Sequence, residues 1–177
     1  MILESYYTGS DKATFLAKVQ AISAELGFDP NWLMIVMYKE SRLKPTAYNS
    51  GSGATGLIQF LKCTALKLGT TTDALRAMSG TQQLDYVKKY LGTYKGRYKS
   101  LIDVYLAVFY PAAMGKLDSY VIGVKGSSAY DLNASMDLSQ DGKLTVLDVR
   151  TWLVKGLPAE ATTYLNDQTK KKSSPLP

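Results

Sequence analysis

An all-helical fold is what this sequence predicts, on three observations. Apolar residues recur three and four apart in successive segments, as in Phe15, Leu16, Val19, Ile22 and Leu26 and again in Leu84, Val87 and Leu91, which gathers them on one helix face. Start and stop signals bracket those segments: Asp29 before Pro30, Ser79 three residues ahead of Gln82, and Gly27 and Gly69 at the ends. The stretch from Ser100 to Tyr110, SLIDVYLAVFY, is apolar enough to be a buried central helix.

In chain order, Ser10 or Asp11 caps a first helix that runs to Leu26 and stops at Gly27. Pro30 suits the first position of the second helix, where a missing N–H costs nothing. Leu33, Val36 and Met37 form its stripe, and Glu40 falls next on it. Ser41 and Arg42 finish this helix, Pro45 prevents its continuation, and Ser50 to Gly53 read as a flexible stretch. Leu57 to Leu68 reads as a third helix, a short one opens at Thr72 or Asp73, and a fifth follows Ser79 with Lys88 and Lys89 facing solvent. Gly92 to Lys99 is a basic, tyrosine-rich loop before the central helix.

The 177 residues are 46% hydrophobic, enough for one domain with a real core and a small appendage. No apolar run reaches membrane-spanning length, and the start, MILESYYTGSDKATF, lacks the pattern of a secretory signal. Histidine is absent and Cys63 is the sole cysteine, which removes Ser-His and Cys-His nucleophiles and histidine-based zinc sites. Acid–base chemistry then falls to carboxylates, and Cys63 is given a structural role. A net charge of +6 suits an acidic partner, with bacterial cell wall and nucleic acid both open.

Glu40 is the carboxylate that stands out, because the pattern asks for a buried hydrophobe at its position. Apolar surroundings disfavour the charged form, so Glu40 is expected to hold its proton near neutral pH, as a general acid must. Glu40-Ser41, then Ala47 and Ser52-Gly53-Ala54-Thr55-Gly56-Leu57-Ile58-Gln59-Phe60, together resemble the soluble lytic transglycosylases and related phage lysozyme-like enzymes. Their signature is a Glu-Ser pair followed by a Gly-Leu-Met-Gln turn, with Ile58 here in place of Met. The resemblance implies a lysozyme-like helical domain over residues 1–125, Glu40 as catalytic acid, and Ser41, Gly56 and Gln59 at the substrate cleft. It also implies an aromatic near the acid at the end of the central helix. The family's Ala-Tyr-Asn motif corresponds here to Val108-Phe109-Tyr110, so Phe109 or Tyr110 takes that place.

The activity so implied is cleavage of the β-1,4 bond between N-acetylmuramic acid and N-acetylglucosamine in peptidoglycan, without a catalytic cofactor. No Asp or Glu lies between Glu40 and Gln59, which favours closure of a 1,6-anhydro ring over hydrolysis; Asp85 or Asp103 could supply a second carboxylate through folding. Hydrolysis and a non-catalytic, glycan-binding virion protein are the alternatives. Nucleic acid binding through the 92–99 loop ranks below both, since no nucleic-acid fold signature accompanies it. By family habit the setting is a phage virion or an infected bacterial cell, with the host wall as target.

A second motif lies at Asp137, Ser139, Asp141, Lys143, Thr145 and Asp148. With Gly142 at the turn it has the spacing of a calcium loop, Lys143 contributing its backbone carbonyl. The segment 126–160 resembles a single EF-hand-like or dockerin-type repeat, and calcium there would be a structural staple. Residues 161–177, with lysines at 170 to 172, read as a flexible tail or a peptide that docks on a neighbouring virion protein.

Overall fold

Helices dominate residues 1–173, the part of the chain that the computed structural model describes, and a single two-stranded sheet interrupts them. None of these helices is long and apolar enough to cross a membrane. The chain divides into two compact units. The first is Met1–Gly96 together with the chain from Pro158; the second is Arg97–Leu157.

In the first unit, α1 (Lys12–Leu26) packs on α2 (Pro30–Ser41) and on α5 (Gly80–Gly92). Phe15, Val19 and Ile22 of α1 meet this core, as do Leu84, Val87 and Leu91 of α5, in the order their spacing predicts. Helix α2 is enclosed on every side: the six residues from Leu33 to Tyr38 are all buried. At about 2 kcal/mol for each large apolar side chain, these residues fix α2 as the axis of the unit. The short α3 (Lys62–Lys67) and α4 (Thr72–Ala77) lie between α2 and α5 in sequence.

Three expectations need correcting here. The third helix does not begin at Leu57: residues 55 to 60 form a tight reversal in which Thr55 and Phe60 exchange both backbone hydrogen bonds, and α3 starts at Lys62. Left-handed backbone at Gly56 and Gln59 (φ 79° and 52°) bars a helix there. The stretch from Ser50 to Gly53 is a closed turn, with Asn49 Oδ1 accepting from the Gly51 and Ser52 amides. From residue 161 the chain is helical: α9 (Ala159–Ser173) buries Ala161, and its Tyr164 hydroxyl donates to Asp29 Oδ2. The tail reading missed that Ala161 and Tyr164 share one helix face.

In the second unit, α6 (Leu101–Phe109) buries Ile102 to Ala107 and packs on α8 (Val146–Val154). Strands β1 (Val121–Val124) and β2 (Lys143–Thr145) pair antiparallel, with Val124 opposite Lys143 and an irregularity at Gly123. A side chain at Gly123 would meet the Tyr130 backbone nitrogen at 2.8 Å, so that crossing requires glycine. Between the strands lie α7 (Ser128–Asp131) and the Asp137 loop.

Candidate active site

Glu40 lies in the last turn of α2, half-buried and therefore less enclosed than the stripe predicts. Beyond it, Arg42 and Leu43 both adopt left-handed backbone (φ 56° and 59°), and the Arg42 amide closes the helix on Tyr38 O. Such conformations cost non-glycine residues about 1 kcal/mol or more and persist where packing imposes them. Three of the described non-glycine residues with positive φ, Arg42, Leu43 and Gln59, flank this one site. The Arg42 guanidinium sits 4.4 Å above the Tyr38 ring.

Ser41 joins the two halves of the motif. Its buried hydroxyl lies 2.9 Å from Met37 O, one turn back in its own helix, and 3.0 Å from Leu57 O, in the 56–59 turn. A hydroxyl committed to these carbonyls, with no histidine in the chain to activate it, is a clamp and not a nucleophile. The turn is held from its other side by Gln83, fully buried on α5, whose Oε1 accepts from the Leu57 amide at 2.9 Å. Gln83 Nε2 donates to Pro45 O and Leu75 O, each at 2.7 Å. Gly56 is required beneath it, because a Cβ at that position would come within 2.4 Å of Gln83 Oε1.

Gln59 is half-buried and donates from Nε2 to Gly56 O, which leaves its carbonyl oxygen available to a ligand. Tyr48, on the neighbouring loop, is 52% exposed, with the Arg76 guanidinium 4.6 Å over its ring. The structure therefore brings Ser41, Gly56 and Gln59 together at the end of the Glu40 helix.

Phe109 and Tyr110 lie in the second unit. Phe109 stacks on Tyr105 with centroids 5.8 Å apart, and Tyr110 ends α6 with its amide on Leu106 O. The two further carboxylates are engaged. Asp85 pairs with Lys18 at 2.8 Å. Asp103 is buried and accepts from the Lys99 amide, the Ser100 hydroxyl and the Gly115 amide. In the basic loop, Tyr94 packs edge-on to Tyr90 and Tyr98 is buried, so two of its rings serve packing. Cys63 is exposed on α3, not part of the core.

Sequence reasoning passed over Gln83. The signal was the one that singled out Glu40: Gly80, Gln83, Leu84, Val87 and Leu91 make up the buried stripe of α5, and Gln83 is its polar member.

The calcium-loop positions have another use in this arrangement. Both Asp137 oxygens accept protein donors, from the Tyr130 and Ser139 hydroxyls and the Gln140 and Gly142 amides. The hydrogen bond from Tyr130 leads in holding the Asp137 carboxyl below the usual carboxylate range. Asp141 accepts from the Lys143 amide. Asp148 caps α8 reciprocally with Thr145. Among the described residues no three His, Cys, Asp or Glu side chains gather to hold a metal. The loop is thus an aspartate-anchored turn leading into a capped helix, with its carboxylates engaged by protein donors.

The family model of the transglycosylase SLT domain matches residues 18–125, more than half of the chain. No curated protein and no solved structure matches it.

Proposed function

Because the chain belongs to the transglycosylase SLT domain family, whose members act on peptidoglycan glycans, we propose that it is a lytic transglycosylase with Glu40 as its single acid–base group. The observation that carries this reading is the Ser41 contact. Two motif halves separated by sixteen residues are locked together by one hydroxyl, at 3.0 Å, immediately after the glutamate.

In the proposed reaction Glu40 protonates the oxygen linking N-acetylmuramic acid to N-acetylglucosamine, and the bond from that oxygen to the muramic C1 breaks. The departing glucosamine keeps the proton as its 4-hydroxyl, and positive charge spreads over C1 and the ring oxygen. Ionised Glu40 then takes the proton of the muramic 6-hydroxyl as that oxygen bonds to C1. A 1,6-anhydro ring results, and no water is consumed. An internal nucleophile needs placement more than a second base. The engagement of Asp85 by Lys18 and of Asp103 by three donors supports the single-acid scheme. Gln59 would bind sugar through its carbonyl oxygen. For the setting we propose a phage particle or a lysing bacterial cell, on family habit.

The test is mass spectrometry of fragments released from purified peptidoglycan, with Glu40→Gln run alongside. Anhydro-muramic ends absent from the mutant digest are expected, with an unchanged thermal melt. Reducing ends would replace the scheme with hydrolysis, a fully active Glu40→Gln would remove Glu40 from it, and sacculus binding without fragments would make the protein a glycan-binding module.

A further inference from the structure

We propose that Gln83 is a positioning residue for the active site, fixing the 56–59 turn against the end of the Glu40 helix; this rests on the reading of that site as a glycan-cleaving centre. The Leu57 backbone is gripped on both sides. Its N–H reaches Gln83 Oε1 at 2.9 Å, and its C=O lies 3.0 Å from Ser41 Oγ. Ser41 follows Glu40 directly, and Leu57 lies two residues before Gln59. The relative placement of acid and sugar-binding amide is therefore transmitted through this one residue.

Glutamine is the side chain the place demands. Its site presents one backbone donor, Leu57 N–H, and two acceptors, Pro45 O and Leu75 O. A primary carboxamide offers an acceptor and two donors at once. Flipping the amide would set oxygen against two carbonyls and NH₂ against an N–H, so the assignment is forced. An ionised carboxylate has no donor for Pro45 and Leu75, an apolar residue bonds none of the three, and asparagine is one methylene short. Through Pro45 and Leu75 the same side chain also ties down the loop after α2 and the end of α4. One residue of α5 thus sets three segments around the turn.

The test compares wild type with Gln83→Leu, Gln83→Glu and Gln82→Ala. Gln82 is the adjacent capping residue, whose Oε1 accepts from the Ser79 amide; its loss weakens α5 without touching the turn. Well below the melting temperature, Gln83→Leu is expected to lower kcat about a hundredfold, as an ångström-scale misplacement does, with a far smaller change in KM. Gln82→Ala should keep wild-type kcat. Gln83→Glu adds a pH signature. A buried carboxyl facing two carbonyls titrates above its usual range, and its protonated form regains one donor, so its activity relative to wild type rises as pH falls.

Wild-type kcat in folded Gln83→Leu would overturn the proposal, as would parallel losses in Gln83→Leu and Gln82→Ala. If Gln83→Leu does not fold, a Gln83→Glu ratio that stays flat across pH overturns it. Should wild type itself release no fragments, the functional reading has failed, and amide exchange decides the clamp separately. Faster exchange at Leu57 in Gln83→Glu above its pKa, with Val36 unchanged, upholds it, and equal exchange refutes it.

Discussion

Replacing Gly56 with alanine tests the packing beneath the turn most sharply. At φ 79° a Cβ-bearing residue pays left-handed strain, about 1–2 kcal/mol. The added carbon would also sit 2.4 Å from Gln83 Oε1 and 3.1 Å from the amide carbon, well inside contact distance, so the glutamine must move. Gln83 is fully buried and held by three hydrogen bonds. Displacing it strands at least the Leu57 amide, at about 1–3 kcal/mol for a buried unpaired group. The expected cost is their sum, about 3 kcal/mol, against a total stability of about 5–15 kcal/mol. Urea unfolding followed by circular dichroism measures it, provided the slope with denaturant stays constant. Repeating Gly56→Ala in a Gln83→Ala background should leave only the strain, about 1 kcal/mol, since the clash partner is gone. A single substitution costing well under 1 kcal/mol, or an equal cost in both backgrounds, would refute the reasoning.

Further outcomes follow from contacts elsewhere. Tyr164→Phe should lower stability by about 1.5 kcal/mol, the loss of a hydrogen bond to a carboxylate; an unchanged urea midpoint would mean that α9 does not brace Asp29. Asp137 is held below its ordinary pKa, chiefly by the Tyr130 hydroxyl, so its stabilising contribution is present above the unfolded value near pH 4 and is lost as pH falls through the lower folded value. Tyr130→Phe should raise that folded value, moving the acid limb of the melting curve to higher pH and letting the two curves converge at the acid end; superimposable curves across pH would refute this. For the same loop, the calcium staple is decided by the melt: a rise of several degrees on adding calcium that vanishes in Asp137→Ala would establish it, and an unchanged wild-type melt would remove it.

The helices of the first unit were legible because their apolar spacing and caps are local: Gly27 stops α1, Asp29 and Pro30 open α2, and the Ser79–Gln82 capping box opens α5. The sequence also pointed to residues that meet in space, since Ser41 and the Gly56–Gln59 turn are in contact. What it concealed depends on distant partners. The stretch from Leu57 has helical composition, and only the Thr55–Phe60 closure with left-handed Gln59 prevents the helix. Gln83 shows in the sequence only as a polar residue on the buried stripe of α5, and its partners on three separate segments do not. At Asp137, oxygen spacing alone does not distinguish a cation from a set of N–H donors. The start of α9 looks like polar tail because its packing rests on a few residues, Ala161 and Tyr164 among them.

The bond from Tyr164 to the N-cap of the Glu40 helix spans 135 residues of sequence. During synthesis at about 5–20 residues per second, α2 therefore waits on the order of ten seconds for its brace, while the whole second unit is being made. Until α9 emerges, α2 starts on Asp29 Oδ1 alone, which caps the Asn31 amide, and the second carboxylate oxygen waits for its Tyr164 donor.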